Sequence, residues 1–182
     1  MVRAIDMRLL INAKDQVLVK FGNQLSALGD GQARTAMSRA LNHEGDKGRT
    51  QVKRALAKQI GIKYGAIDKA MATIRSTPAT LTYRLKARGD ETNIAWFGGV
   101  QRIKGVSAAP WNKRRIFRHA FIITGFGRAF VRTSKQRLPI RWLYGPNIGR
   151  ELVKDTSAAA WQGGVAAIVA RIGHEIGRML PR

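Results

Sequence analysis

The sequence predicts an α+β fold, in which N-terminal helices and a long C-terminal helix pack on a mostly antiparallel β-sheet with extended loops. Two periodicities indicate this fold. Apolar residues recur every three or four positions in the first third and again near the C-terminus, whereas a period of two begins near residue 81. That order of elements is typical of helices packed on one face of a sheet. With 182 residues we expect one domain, residues 1–182, with a mainly helical part at 1–72, a β-meander at 73–150 and a C-terminal helix at 155–180.

The helical part begins with a short predicted strand at residues 5–10 and an amphipathic helix at residues 15–28. A longer helix is predicted from Ala33 to Ile60, because its apolar phase is kept across the polar segment 42–48. That segment contains Gly45 and Gly48, and each glycine costs about 1 kcal/mol in a helix interior. Continuity therefore requires close packing at this point. A short helix is expected at residues 64–71.

Alternation at residues 81–88 predicts a half-buried strand with a basic outer face. Further strands are expected at residues 94–97, 101–106, 116–124 and 129–133, with a hairpin turn at 125–127 and a flexible loop at 107–110. Gly145-Pro146 predicts a turn that leads into a helix-like segment. The C-terminal helix is predicted to bury one stripe of apolar residues: Trp161, Val165, Ile168, Ile172, Ile176 and Met179.

The charge of the chain is strongly basic and unevenly placed. The 33 Lys and Arg residues outnumber the 11 Asp and Glu residues, which gives a formal net charge of +22. Residues 92–150 contain twelve Lys or Arg and no acidic residue, and residues 47–88 contain eleven with Asp68 as the one acid. The basicity therefore lies in the body of the chain, and it predicts an acidic partner such as nucleic acid, an anionic surface or an acidic protein.

Composition excludes several classes of protein. The absence of cysteine excludes disulfide scaffolds, Cys-ligated zinc, iron–sulfur clusters and thiol nucleophiles. The N-terminus has no long apolar run with a cleavage site. The uncharged stretch at residues 156–170 is shorter than the roughly 20 residues of a membrane-spanning helix. We therefore expect a chain that is neither exported nor anchored in a membrane.

Motifs for catalysis are missing from the sequence. It has no HExxH pair, no GxGxxG or GxxxxGK[ST] loop and no GxSxG elbow. The histidines at 43, 119 and 174 are scattered, and His174-Glu175 fits a surface or capping position better than a metal or acid–base site. A metal-dependent nuclease would need clustered carboxylates, for which only Asp90-Glu91 is available near the sheet. We therefore predict no enzyme, no catalytic residues, no metal and no cofactor.

Aromatic residues interleave with arginines between residues 111 and 144, and two interpretations are open. The pattern is typical of a platform on which nucleic-acid bases stack beside cations. Alternatively the rings belong to the core and the arginines to the opposite face of the sheet, which we favour for Phe117, Phe121 and Phe130. For Trp111, beside a proline and three basic residues, an exposed contact role and a structural role are both open.

Four short elements keep a defined order between residues 25 and 155. The long predicted helix contains Arg39-Ala40-Leu41-Asn42 and Arg49-Thr50, and two predicted strands contain His119-Ala120-Phe121-Ile122 and Ala129-Phe130-Val131-Arg132-Thr133. Leu138-Pro139-Ile140 then continues to Leu143-Tyr144-Gly145-Pro146. The ordered set resembles the minor tail protein Z family of lambda-like bacteriophages and prophages, in which similar "RALN…RT", "AFI", "VFVRT" and "LPI…L.GP" elements follow one another.

This resemblance implies a structural virion protein, made in the cytoplasm of the bacterial host. Such a protein completes the head-proximal end of a long non-contractile tail and helps to join the tail to the neck. The implied partners are tail-terminator, tail-tube and neck or connector subunits, with genomic DNA passing nearby in the channel. The implied assembly is a homo-hexameric ring, whose neighbouring subunits meet through unlike patches.

The basic surface then has two candidate partners. It faces acidic protein subunits, or it lines the DNA channel. We favour acidic proteins, because a channel for rapid DNA transit should not grip phosphates. A sequence-nonspecific nucleic-acid-binding protein is the alternative function. The candidate contact residues lie before the central strand and around the Gly-Pro element: Trp111, Lys113, Arg114, Arg115, Arg137, Arg141, Tyr144 and Pro146.

Overall fold

A computed structural model describes residues 7–12, 21, 29–89 and 91–180 of the chain. The described helices are α1 (Asp30–Ile60), α2 (Tyr64–Ala70), α3 (Ile148–Leu152) and α4 (Asp155–Met179). The described strands are β1 (Met7–Asn12), β2 (Met71–Ile74), β3 (Thr82–Ala87), β4 (Glu91–Asn93), β5 (Val100–Arg102), β6 (Gly105–Ala108), β7 (Arg115–Arg118), β8 (Ala120–Ile123), β9 (Arg128–Arg132), β10 (Ile140–Trp142) and β11 (Tyr144–Asn147). The α+β class and the long C-terminal helix are confirmed.

The two long helices, α1 and α4, pack against each other and form most of the main core. Their buried residues include Leu56 and Ile60 on α1 and Ile168 and Ile172 on α4. The remaining core residues of the two helices lie in the same cluster: Ala33, Ala36, Ala40, Leu41, Val52, Trp161 and Ile176. The predicted stripe is wrong at Val165, which is 38% exposed. Its neighbour Gly164 lies against α1 instead, and this turns Val165 outward.

Helix α1 is continuous through its glycine-containing segment, as predicted. A Cβ atom built on Gly48 would lie 3.4 Å from the ring of Trp161, and one on Gly164 would lie 3.6 Å from the Cα atom of Gly48. A Cβ atom on Gly45 would lie only 2.5 Å from the ring of Tyr83. The glycines therefore permit close contacts with α4 and with β3. These contacts offset the unfavourable helix propensity of glycine.

The polar residues of the same segment hold the strands beside α1. Asn42 accepts a hydrogen bond from the backbone N–H of Ser76 (2.8 Å) and donates one to its carbonyl (2.9 Å). Tyr83, which is fully buried, donates its hydroxyl to Asp46 at 2.9 Å. Burial, together with the neighbouring Asp46 carboxylate, raises the pKa of the Tyr83 hydroxyl. The polarity of the segment thus serves packing against the sheet.

Two polar side chains connect α1 to later elements. Lys53 is 3% exposed and pairs with Asp68 of α2, and this hydrogen bond holds the pKa of the Asp68 carboxyl below its usual range. Near the end of α1, Gln59 donates to the Glu151 carboxylate at 3.0 Å and accepts from the Ser157 hydroxyl at 2.9 Å. Gln59 therefore joins α1 to the junction between α3 and α4.

The described strands form four small antiparallel sheets. Their orders are β1-β3-β2, β5-β6-β7, β10-β9-β8 and β11-β4. In the first sheet Tyr83, Leu85 and Ala87 of β3 are buried and the intervening residues are half-buried, so the predicted alternation is confirmed. The short first strand is also present, although it lies at Met7–Asn12. The helix predicted at residues 15–28 falls outside the described residues apart from Phe21, which packs against the main core.

Two predicted strands are each divided in two. The segment predicted at 101–106 reverses between β5 and β6, where Gly105 has a φ of 139° that favours glycine. The segment predicted at 116–124 bends between β7 and β8, where His119 has a left-handed φ of 60°. In both places one residue with positive φ lies where a single predicted strand is divided into two.

Three further local predictions are wrong. Residues Ile94–Trp96 form a 3-10 turn, because the Asn93 side chain accepts a hydrogen bond from the Ala95 N–H at 3.0 Å and caps it. Residues 107–108 belong to the buried strand β6, which pairs with both β5 and β7, and are not part of a flexible loop. Gly145-Pro146 lies within β11, where the pairing with β4 is irregular. Strand β2, which the sequence did not predict, pairs with β3.

Beneath the sheets β5-β6-β7 and β10-β9-β8 lies a second, smaller core. Val106, Ala120 and Ala129 are its buried residues. Phe117 and Leu143 pack against this cluster and also against the main core. The region that carries most of the predicted contact residues therefore has a core of its own, joined to the helical core by these two side chains.

Candidate partner-binding face

Four aromatic side chains form a continuous row, three on the outer face of the β10-β9-β8 sheet and the fourth on the adjoining strand β11. Phe121 pairs with Phe130, and Phe130 with Trp142, so the three lie side by side across the strands. Their ring centroids are 6.2 and 6.4 Å apart, and Tyr144 follows at 6.4 Å from Trp142. Such spacings are favourable for aromatic pairs. We call Phe121, Phe130, Trp142 and Tyr144 the aromatic row.

Arginines cover parts of the aromatic row. The guanidinium carbon of Arg128 lies 4.2 Å from the centroid of the Trp142 ring, and that of Arg132 lies 5.0 Å from the Phe121 ring. Both distances lie within the range of cation–π attraction. Because Arg128, Phe130 and Arg132 alternate with Ala129 and Val131 along β9, they share one side of the sheet.

The structure corrects the interpretation that placed these arginines on the face opposite the aromatic rings. Phe130 is buried at 7% exposure, but the rings beside it, Phe121 and Trp142, belong to the outer face and are the rings that the arginines cover. Trp142 is 43% exposed and Tyr144 is 55% exposed. One end of the aromatic row is therefore open to a partner.

The inner side of this sheet is fixed to the smaller core through Asn93. This residue is 2% exposed, and its side chain donates to the Ala129 carbonyl at 3.0 Å and accepts from the Ala129 N–H at 2.8 Å. A buried amide that makes these bonds holds β9 in one register, since an unpaired amide would be costly there. Asn93 thus positions the aromatic row. This role could not be read from the sequence, because Asn93 ends a polar run, residues 90–93, in which nothing distinguishes it.

The arginines of the face have no carboxylate partner among the described residues. The described carboxylates mostly form pairs elsewhere, as Asp30 does with Arg34 and Glu175 with Arg171. The sequence itself supplies no acidic residue between 92 and 150. The positive charge of the face is therefore uncompensated within this part of the chain.

The candidate residues from Trp111 to Arg115 are exposed, and their contacts are made with different neighbours. Trp111 is 41% exposed and lies in the 3-10 turn Pro110–Asn112, which packs beside β11. Lys113 is exposed as well. Arg114 donates to the Ser107 hydroxyl at 3.2 Å, and Arg115 lies over the Phe117 ring at 5.1 Å.

The turn that presents Trp111 is built from unusual backbone. Trp111 and Asn112 have φ values of 51° and 58°. A bulky side chain rarely adopts this left-handed conformation. The Asn112 side chain donates to the Lys58 carbonyl at 2.6 Å, which fixes the turn to the end of α1.

The candidate residues around the Gly-Pro element differ in position and exposure. Tyr144 belongs to the aromatic row, and Arg137 is exposed in the loop between β9 and β10. Arg141 is exposed, but its place between Ile140 and Trp142 puts it on the other side of β10. Pro146 is buried in β11, where its carbonyl accepts from the Thr92 hydroxyl at 2.6 Å. It is therefore not accessible to a partner, because β11 is a strand and not the expected turn.

A metal site requires several ligating side chains close together, and a catalytic site requires reactive groups within reach of one another. Among the described residues no three His, Asp or Glu side chains are grouped so as to hold a metal ion. Asp90, one half of the acidic pair considered for a nuclease, lies outside the described residues, and Glu91 is exposed. His43 contacts Glu44 at 2.8 Å. The prediction that the chain is not an enzyme stays a prediction.

Comparison with protein-family models, with curated proteins and with solved structures gave no match for this chain. None of the helices in the described part of the chain is both long and apolar enough to cross a membrane.

Proposed function

We propose that this chain is a non-catalytic structural protein of a long-tailed bacteriophage virion. It completes the head-proximal end of a non-contractile tail and helps to join the tail to the neck or connector. In that role it forms a homo-hexameric ring around the DNA channel and contacts acidic terminator, tail-tube or connector subunits.

One observation carries the proposal: three of the sequence elements that resemble the tail protein family are neighbours in one sheet. The Ala120-Phe121-Ile122, Ala129-Phe130-Val131-Arg132 and Ile140 segments lie on β8, β9 and β10. Their outer face carries the aromatic row. A shared surface is a physical reason for these separate segments to occur together.

The chemistry of this face favours a protein partner. Tyrosine, tryptophan and arginine are enriched where proteins bind one another tightly, and here they are exposed together. Arginine forks pair bidentately with carboxylates. Since the face has no acid of its own, an acidic subunit is the partner that would complete it.

The experiment is complementation of a phage that lacks this gene. We expect the Trp142→Ala/Tyr144→Ala double variant to leave unjoined heads and tails, which electron microscopy of lysates would count. Phe126→Ala is the matched control, because Phe126 is 70% exposed in the neighbouring hairpin turn but lies outside the aromatic row. Circular dichroism would establish that each variant is folded. Normal joining without the gene would contradict the proposal.

The alternative, a sequence-nonspecific nucleic-acid-binding protein, is favoured by the arginines stacked on the rings, since bases also stack on such surfaces. It predicts tight binding of single-stranded oligonucleotides by the isolated chain. It also predicts a loss of that binding in the Trp142→Ala/Tyr144→Ala variant, whereas the proposed function predicts no change. Fluorescence anisotropy with a labelled oligonucleotide separates the two.

A further inference from the structure

A basic pocket lies at one edge of the same sheet, where β7 ends and β9 ends. It has a volume of about 560 Å³. Its lining residues come from the β7–β8 corner and from the end of β9 with the loop after it: Arg118, His119, Val131, Arg132, Thr133, Ser134 and Lys135. We call these residues the corner pocket. None of the contact residues proposed from the sequence lies in it.

The backbone builds the corner pocket from two strand ends. The left-handed His119 turns the chain from β7 into β8, and Ala120 then pairs with Val131 of β9. On the other wall, Thr133 bonds to the Pro139 carbonyl through its N–H (3.2 Å) and its hydroxyl (3.0 Å). These contacts set the corner opposite the start of the loop.

The groups that line the pocket are suited to an anion. Arg118, Arg132 and Lys135 are exposed cations, and no described carboxylate pairs with them or lines the pocket. The Ser134 oxygen accepts from the Gln136 N–H at 3.2 Å, so its hydroxyl hydrogen remains available to donate. Arg132 is held in place by the Phe121 ring beneath its guanidinium group.

Size and donor set favour a phosphodiester over a single carboxylate. Volumes of about 300–1,000 Å³ are typical of pockets for molecules larger than a small ion. Arginine, lysine and hydroxyl groups together are the usual donors to the phosphates of nucleic-acid backbones. We therefore propose that the corner pocket binds the phosphodiester backbone of nucleic acid, independently of the protein partner at the aromatic row. The pocket holds about one or two phosphates per chain, fewer than the roughly 6–10 contacts that make binding strong and steeply salt-dependent.

Two charge-matched variants test this assignment. Arg118→Ala/Lys135→Ala removes two exposed cations from the pocket, and Arg102→Ala/Lys104→Ala removes two exposed cations from the β5–β6 hairpin. Arg132 is left intact because it also contacts the aromatic row. Binding of a labelled DNA duplex would be measured by anisotropy between about 50 and 200 mM salt.

We expect the pocket variant to bind duplex DNA at least tenfold more weakly at about 50 mM salt. The slope of log K against log salt should decrease in magnitude by about 1–2, since each phosphate contact contributes about 0.9. The control should change affinity less than about threefold and keep its slope. Equal losses in both variants would overturn the proposal, because they would indicate diffuse charge. So would an absence of DNA binding by the unchanged chain at low salt.

Two competitors identify the source of the anion. If inorganic phosphate binds tightly and duplex DNA does not, the pocket is a site for a free oxyanion and the proposal is overturned. If an oligoglutamate peptide binds the unchanged chain and binds the pocket variant more weakly, while DNA affinity is the same for both, the pocket is a site for an acidic protein. That result would also overturn the proposal. The Trp142→Ala/Tyr144→Ala variant should retain the DNA slope, so this test fails or succeeds separately from head–tail joining.

Discussion

Glu44 is a buried carboxylate on α1, and its partners His43 and Lys47 lie on the same helix. It is 6% exposed, and its Oε1 atom lies 2.8 Å from His43 Nδ1 and 3.0 Å from Lys47 Nζ. Burial raises the pKa of Glu44, but the hydrogen bonds and charges of Lys47 and His43 outweigh burial and hold the pKa below its ordinary value of 4.5. The folded state therefore favours the ionised form of Glu44.

This shift gives the stability of the protein a pH dependence of known sign. Because the folded pKa lies below the unfolded one, Glu44 stabilises the fold above the unfolded value, and that contribution is lost as the pH falls through the folded pKa. We expect Glu44→Gln to lower the free energy of unfolding at neutral pH and to flatten its decline from about pH 5 downward. Denaturant titrations across a pH series would measure this.

Glu91→Gln is the control for that series, since Glu91 is exposed and forms no ion pair with a described residue. It should leave the curve nearly unchanged. A Glu44→Gln curve parallel to that of the unchanged chain would contradict the assignment.

At the scale of elements, the contact between α1 and β3 depends on one missing side chain. Tyr83 occupies the space where a Cβ atom of Gly45 would be, whereas a Cβ atom on Gly31 of the same helix would meet nothing within 4 Å. The two glycines therefore have opposite roles. One makes room for a ring, and the other contributes only backbone freedom.

Alanine at each glycine separates these roles. We expect Gly45→Ala to lower the free energy of unfolding by about 1–3 kcal/mol, because overpacking exceeds the gain in helix propensity. Gly31→Ala should raise it by up to about 1 kcal/mol. Chemical denaturation followed by circular dichroism would compare them, and equal effects would show that Gly45 is not packed as described.

Elements with a sustained periodicity could be predicted from the sequence, and the boundaries of the other strands could not. Helices α1 and α4 hold their apolar phase over many turns, and β3 alternates clearly. The strand boundaries near His119 and Gly105 depend on single residues with positive φ, and the turn at residues 94–96 depends on the Asn93 side chain. Apolar runs do not reveal such local events.

The candidate site was predicted in part for a related reason. The proline, glycine and basic residues around Trp111 and Tyr144 made both of them contact candidates, although a structural role for Trp111 was equally open. The pairing of Phe121, Phe130 and Trp142 could not be inferred, because the register between separate strands is set by tertiary packing on the smaller core. A turn was wrongly predicted at Pro146 because proline often marks a turn. Proline also fits an irregular position in a short strand such as β11.

For the whole molecule, the charge limits how copies can associate. The chain has three times as many Lys and Arg as Asp and Glu, and most described carboxylates already have partners within it. A second copy therefore has few carboxylates to offer to the basic surfaces. Bringing copies together adds positive charges that repel over about 10 Å at 0.1 M salt.

We expect the isolated chain to be monomeric at low ionic strength and to associate when salt or an acidic polypeptide neutralises it. Sedimentation velocity across a salt series, with and without added polyglutamate, would measure this. A hexamer that is stable near 10 mM salt, where the Debye length is about 30 Å, would contradict the expectation and imply carboxylates beyond the described residues.

The separate small core beneath the aromatic row has a consequence for evolution. Val106, Ala120 and Ala129 support the outer sheet, while the helices are stabilised by a different cluster. Substitutions on the outer face of β8–β10 can therefore accumulate without disturbing the α1–α4 pair. A change of partner could therefore be accommodated by side chains of this face alone, while the helical scaffold stays unchanged.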